Sequence, residues 1–157
     1  MAQIQLDELD EKILQLVSQN ARTPFLEVAR ECNVSGAAIH QRIQKLTSQG
    51  VIKGSEFIID PVKVGYHTCA YMGLFLKDAN AFEGVVDALK KIPEIVECHY
   101  TTGKYAMYLK IYAKDNAHFL SIIHDKIQVI EGIASTETLI CLGEAFRRQI
   151  TVECDKE

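Results

Sequence analysis

Gln41 and Gln44 stand three residues apart, with His40 and Lys45 beside them, Ala37 one turn earlier and Ser48 one turn later. Side-chain amides can pair with the edge of adenine, small residues permit close approach, and cations meet phosphates. At helical spacing these residues share one face, while Ile39, Ile43 and Leu46 share the opposite one. A helix bound for the major groove of a duplex needs that division: amides and a base outward, no acid, branched aliphatics inward. Gln41, Gln44 and His40 are therefore candidates for base reading. Arg42, Lys45 and Lys53 are candidates for phosphate contact, which adds affinity without sequence information. Ser35 and Ala37 complete the candidate DNA-binding set. Blander readings stand beside these. The glutamines could line an ordinary solvated face, Ser35 could serve as a helix cap, and Arg42 could pair with Glu27 or Glu31 instead of a phosphate.

The elements that must hold this face are legible on both sides of it. Ser35 can cap the free N–H groups of a first turn. Gly50 is a stop, because glycine enters the left-handed conformation cheaply. Upstream, residues 7–19 read as a helix capped by Asp7, with acids in the first turn where the helix dipole favours them and Leu6, Leu9, Ile13, Leu16 and Val17 as its stripe. Thr23 caps a second helix that Pro24 opens, running to Cys32 with Leu26 and Ala29 inward. Asn33 suits a left-handed turn and Val34 an apolar plug, so two short helices join as a helix-turn-helix. Residues 51–60 alternate apolar, turn and apolar around Lys53, Gly54 and Ser55, which predicts a short hairpin or wing. Asp60, Pro61 and Gly65 punctuate a linker.

The second half changes character. Strands are predicted over 66–77, 95–101, 105–113 and 133–142, and helices over 79–91 and 116–128. The order βαββαβ predicts an antiparallel four-stranded sheet with both helices on one face, the ferredoxin-like arrangement. Its helix-free face would need a cover, most simply a second copy. The fold class is thus α+β, with a winged helix-turn-helix domain over 1–60, a linker over 61–66 and a ferredoxin-like domain over 67–157.

Bulk properties narrow the function. The net charge of −4 excludes binding nucleic acid by overall charge, yet residues 22–53 carry five bases against two acids, a local +3. Five cysteines without close pairing, no signal peptide and no bilayer-length apolar run predict a reducing cytoplasm. No spacing suggests zinc, and neither a metal nor a cofactor is expected. No nucleophile or paired acid and base emerges for an enzyme; Asp125, His124 and Glu131 are close in sequence but split by helical phase. The alternative is a stand-alone metabolite-binding module on the ferredoxin-like half, or a thiol or metal sensor using Cys32 or Cys98.

Taken together and in order, LDELDEKILQLV, NARTPFLEVARECNVSGAAIHQRIQKLTSQGVIKG, DPVKVG, TTGKYAMYLKI and IASTETLICL resemble the Lrp/AsnC family of prokaryotic transcription regulators. The resemblance implies a DNA-binding domain followed by a regulatory domain that dimerises through its sheets, with dimers assembling to tetramers or octamers. It also implies a small effector, often in this family an amino acid, bound at the seam between dimers. The family's TGxYD loop and the last strand line that seam. Here those positions are Thr102, Gly103, Lys104, Tyr105 and Ala106, with Ser135 and Thr136, and Tyr100 just upstream is grouped with them. Ala106 replaces the family's aspartate, which could cap the loop or meet an amino group. Ala38 stands where threonine or proline is frequent.

Overall fold

The computed structural model describes residues 4–153. The chain divides into two compact units: residues up to Ile58 with the segment from Phe146 onward, and Ile59–Ala145.

The first unit contains α1 (Glu8–Gln19), α2 (Phe25–Cys32) and α3 (Gly36–Ser48). Asp7 caps α1 in a reciprocal box: its carboxylate accepts from the Asp10 N–H at 2.8 Å, and the Asp10 carboxylate accepts from the Asp7 N–H at 3.3 Å. Asn33 adopts the left-handed conformation (φ 55°) that ends α2. Ser35 Oγ accepts from the Ala38 N–H at 3.2 Å and starts α3. Ile13, Val28, Ile39 and Leu46 are fully buried, with Leu14 and Ala29 nearly so. These side chains close a three-helix core. Ile43 and Val17 pack at its margin.

Three expectations fail in this unit. Pro24, not Thr23, holds the cap position of α2, and no side chain caps that end. Val28 replaces Leu26 on the inner side, leaving Leu26 67% exposed. Residues 51–60 carry no strand pairing, so the predicted wing hairpin is absent from this chain. An isolated two-stranded ribbon is marginal without a surface to pack on, and Phe57, Ile58 and Ile59 are all exposed.

The expected second domain extended to residue 157, yet the segment from Phe146 onward groups with the first unit. Val152 packs on the three-helix core and its carbonyl accepts from Gln15 Nε2 at 3.3 Å.

In the second unit, the strands β1 (Thr68–Leu76), β2 (Ile95–Tyr100), β3 (Met107–Ala113) and β4 (Ile133–Cys141) form one sheet. Their order is β2-β3-β1-β4, with every neighbouring pair antiparallel, as the βαββαβ pattern predicts. The helices are α4 (Phe82–Leu89) and α5 (Asn116–Ser121), the latter running on into a π-helical turn over Ile122–Ile127. A 3₁₀ turn at Val62–Val64 occupies the expected linker. Ala70, Met72 and Leu74 of β1 face the helices with Met107, Leu109 and Ile111 of β3, and Val85, Leu89 and Ile122 close over them. The intervening residues, including Tyr71, Tyr108 and Lys110, project to the helix-free face, where Tyr71 and Tyr108 stack at 5.7 Å.

Candidate nucleic-acid interface and ligand loop

Because Ile39 and Leu46 anchor α3, the phase of the helix turns Ala37, His40, Gln41, Gln44, Lys45 and Ser48 to solvent. That exposed surface is the one expected from the sequence. Gln44 Nε2 lies 3.1 Å from His40 Nε2, and the His40 ring leans on Phe25 at 5.9 Å, so His40 and Gln44 form a linked pair. Gln41 is exposed beside them. Ser48 Oγ donates to the Lys45 carbonyl at 2.8 Å, which turns that hydroxyl back onto the backbone. Neither Lys45 nor Lys53 belongs to an ion pair among the described residues.

Arg42 departs from both readings offered for it. It pairs with neither Glu27 nor Glu31, and it does not stand free for a phosphate. Its Nη1 donates to Asp7 Oδ2 at 2.5 Å and to Asp10 Oδ1 at 3.0 Å. The two carboxylates raise the Arg42 pKa. Burial works to raise Asp7, but the Asp10 N–H and Arg42 outweigh it and hold that carboxyl below its ordinary value. Arg42 thus ties the outward helix to α1. The acids sit a full helix away in sequence, and local spacing favoured the nearer Glu27 and Glu31.

On the second unit, the loop between β2 and β3 is shaped by Gly103, whose φ of 102° favours glycine. Thr101 Oγ1 donates to the Tyr105 carbonyl at 2.7 Å, and the Ala106 N–H donates to the Leu74 carbonyl at 2.9 Å. These bonds bring Tyr105 down onto β1 over Gly73. A Cβ at Gly73 would come within 2.3 Å of the Tyr105 ring. Phe75 meets that ring edge-on at 5.4 Å. Lys104 Nζ lies 5.3 Å from the Tyr105 ring centre and 2.5 Å from Glu137 Oε2 on β4. Hydrogen bonds from Lys104 and then Tyr105 lower the Glu137 pKa, and the bond to Glu137 raises that of Lys104.

Sheet register sorts the remaining candidates. Ser135 stands opposite Phe75, on the same side as Glu137 and Tyr105. Thr136 stands opposite the buried Leu74 and therefore faces the helices. Tyr100 also belongs to the helix side, stacked on Phe82 of α4 at 3.8 Å. Tyr100 and Thr136 are thus separated from the surface shared by Lys104, Tyr105 and Ser135, a correction to their grouping with the loop. Thr102 and Gly103 form its exposed tip. Sequence reasoning missed Glu137, Phe75 and Gly73. Strand alternation carried the signal, since Glu137 is two residues from Ser135 and Gly73 two from Phe75.

A helix-turn-helix with an acid-free outer face, joined in one chain to an α+β domain with a charged aromatic loop, defines the class: a DNA-binding transcriptional regulator with a ligand-binding domain. The AsnC-type helix-turn-helix domain matches residues 6–47, and the Lrp/AsnC ligand binding domain matches residues 69–150. The regulatory protein AsnC of Haemophilus influenzae is 42% identical over 145 residues, covering 92% of this chain and 97% of that protein. The structure of Escherichia coli AsnC superposes with a TM-score of 0.89 at 34% identity, over 95% of this chain and all of that one. A Neisseria meningitidis transcriptional regulator solved in complex with L-Met shares the fold, with a TM-score of 0.88 at 22% identity over 94% of this chain and 96% of that one. The chain belongs to the Lrp/AsnC family, whose members are regulatory DNA-binding proteins and not enzymes. No helix among the described residues is long and apolar enough to cross a membrane.

Proposed function

We propose that this cytoplasmic regulator docks α3 in the major groove, with Gln41, Gln44 and His40 choosing sequence and Lys45 and Lys53 holding the backbone. Ser35 and Ala37 line the leading end of the helix. The observation that carries this reading is the exposed amide-rich side of α3, fixed in phase by buried Ile39 and Leu46. A homodimer would present two such helices to grooves about 34 Å apart on a roughly palindromic site. Further assembly to a tetramer or octamer follows the family expectation.

The effector we propose is an amino acid, held beside the loop of Thr102, Gly103, Lys104, Tyr105 and Ala106, with Ser135. The Lys104–Glu137 pair supports this class of ligand. It offers a cation for an α-carboxylate and a carboxylate for an ammonium. Ala106 lacks the acid common in the family, and Glu137 supplies one from β4. The L-Met complex of the Neisseria relative agrees with an amino-acid ligand.

The test is binding of the purified chain to its own upstream DNA and to shuffled DNA, across a salt series, with and without each amino acid. Preference for the upstream fragment that persists as salt rises supports sequence reading, because non-specific binding is lost first. Equal affinity for both fragments refutes it. An amino acid that alters neither affinity nor oligomer mass is not the effector.

A further inference from the structure

Cys69, near the start of β1, and Cys141, the last residue of β4, stand directly opposite each other in antiparallel register. Facing residues in such a ladder have Cα atoms about 4.5–5.5 Å apart. A disulfide spans about 4.4–6.8 Å between Cα atoms, so directly opposed residues fall within its Cα reach. The two thiols interact electrostatically, the Cys141 Sγ donates to the Gly143 carbonyl at 3.5 Å, and Tyr112 stands opposite Cys69 on the other flank. Both cysteines are free and half-buried within the single chain, on the helix-free face of the sheet. Lys110 places a positive charge near Cys69, too small an effect to offset its burial. Cys32 and Cys98 have no facing cysteine in the sheet.

We propose that Cys69 and Cys141 are a modification site: a reversible cross-strand disulfide formed by a peroxide. The Cys141 thiolate attacks the peroxide, breaking the O–O bond to give a sulfenic acid and releasing hydroxide. The Cys69 thiol then attacks the sulfenic sulfur, the S–S bond forms, and the sulfenic oxygen leaves as water with the Cys69 proton. Two thiols are oxidised and one peroxide is reduced to two waters. Burial first, and then Cys141, push the Cys69 thiol pKa up despite Lys110, which suits Cys69 to the second step over the first. Once formed, the link staples the end of edge strand β4 to β1 at the point where the chain leaves the sheet. It does not depend on the DNA or effector assignments.

The full chain is treated with hydrogen peroxide, alkylated, digested without reductant and mapped by mass spectrometry. The expected product is a peptide joining Cys69 to Cys141 within one chain, short of two hydrogen atoms. The free-thiol titre should fall by about two per chain and recover with dithiothreitol. Cys98→Ser should still form the link; Cys69→Ser and Cys141→Ser should not, with circular dichroism melts confirming that both fold. The proposal is overturned if both cysteines remain alkylatable in the oxidised wild-type chain. It is equally overturned if they pass to sulfinic acid without linking, or if the disulfide joins two chains.

Discussion

Arg42 on α3 donates to Asp10 on α1 at 3.0 Å, and Asp10 is only 1% exposed. A nearly buried carboxylate therefore relies on a cation from the helix that carries the exposed amides. The same guanidinium reaches Asp7, the cap of α1. The start of the first helix and the middle of the third are held as one piece. This geometry makes Arg42 a positioning residue for α3.

Removing Arg42 leaves Asp10 buried without its cation. Arg42→Ala should lower stability by about 2–3 kcal/mol, less than the roughly 3–5 kcal/mol of a fully buried pair because Arg42 is itself partly exposed. Urea unfolding measures this. Replacing both partners by apolar residues, as in Arg42→Met with Asp10→Leu, should recover much of the loss. No recovery in the double variant would mean that the pair does more than satisfy itself.

Asp7 gives the same unit an acid dependence of known sign. Its folded pKa lies below the ordinary carboxylate value of 3.8. Its contribution is then complete above that value and is lost as pH falls through the folded pKa. Asp7→Asn keeps a capping side chain but removes the charge. The variant should lose less stability than wild type between about pH 5 and about pH 2. Urea midpoints at the two pH values provide the comparison.

For the outer face of α3, base reading and phosphate contact separate in their salt behaviour. Gln41→Ala or Gln44→Ala should cost about 1–3 kcal/mol on the preferred site and little on shuffled DNA. Lys45→Ala should weaken both about equally and flatten the salt slope by about one unit. Fluorescence anisotropy against salt distinguishes the patterns. An unchanged slope would remove Lys45 from the backbone contacts.

Gly73 is required by space, not by a left-handed backbone. Its missing Cβ makes room for the Tyr105 ring. Gly73→Ala should push that ring off β1, disturb the Lys104–Glu137 contact and cost about 1–3 kcal/mol, the usual scale for overpacking. Thermal melts read the loss. Tyr105→Ala combined with Gly73→Ala should cost less than the two separate losses added together, because the clash disappears with the ring.

The elements that read well from the sequence are those whose periodicity is local. Helix α3 has a cap, a three-point aliphatic stripe and a stop, and its exposed side followed directly. The four strands and their order followed from alternation and turn residues. What was not legible depended on contacts distant in sequence. Arg42 found Asp7 and Asp10, more than thirty positions upstream, instead of the nearer glutamates. The hairpin over 51–60 had the right pattern, but Phe57, Ile58 and Ile59 find no apolar surface within the chain. Tyr100 and Thr136 are near the loop in sequence or space, yet pleat parity turns them to the helices. Val152 looked like the end of a sheet domain, and only packing assigns it to the helical core.

Lys104 and Glu137 neutralise one another in the ligand-free chain. An amino acid that inserts between them must exchange that contact for one to each end of the ligand. Glu137→Gln removes the partner for an ammonium but retains a similar shape. It should weaken an amino-acid effector at least tenfold, which is about 1.4 kcal/mol, while leaving effector-free DNA binding intact. Lys104→Met should act similarly through the carboxylate. Titration calorimetry with the amino acid found to alter DNA binding, and with its amide derivative, separates the two roles. The amide, which keeps its ammonium and loses its carboxylate charge, should be discriminated against by the wild-type chain and much less by Lys104→Met. If Glu137→Gln binds the amino acid as well as wild type, the effector's ammonium is held elsewhere.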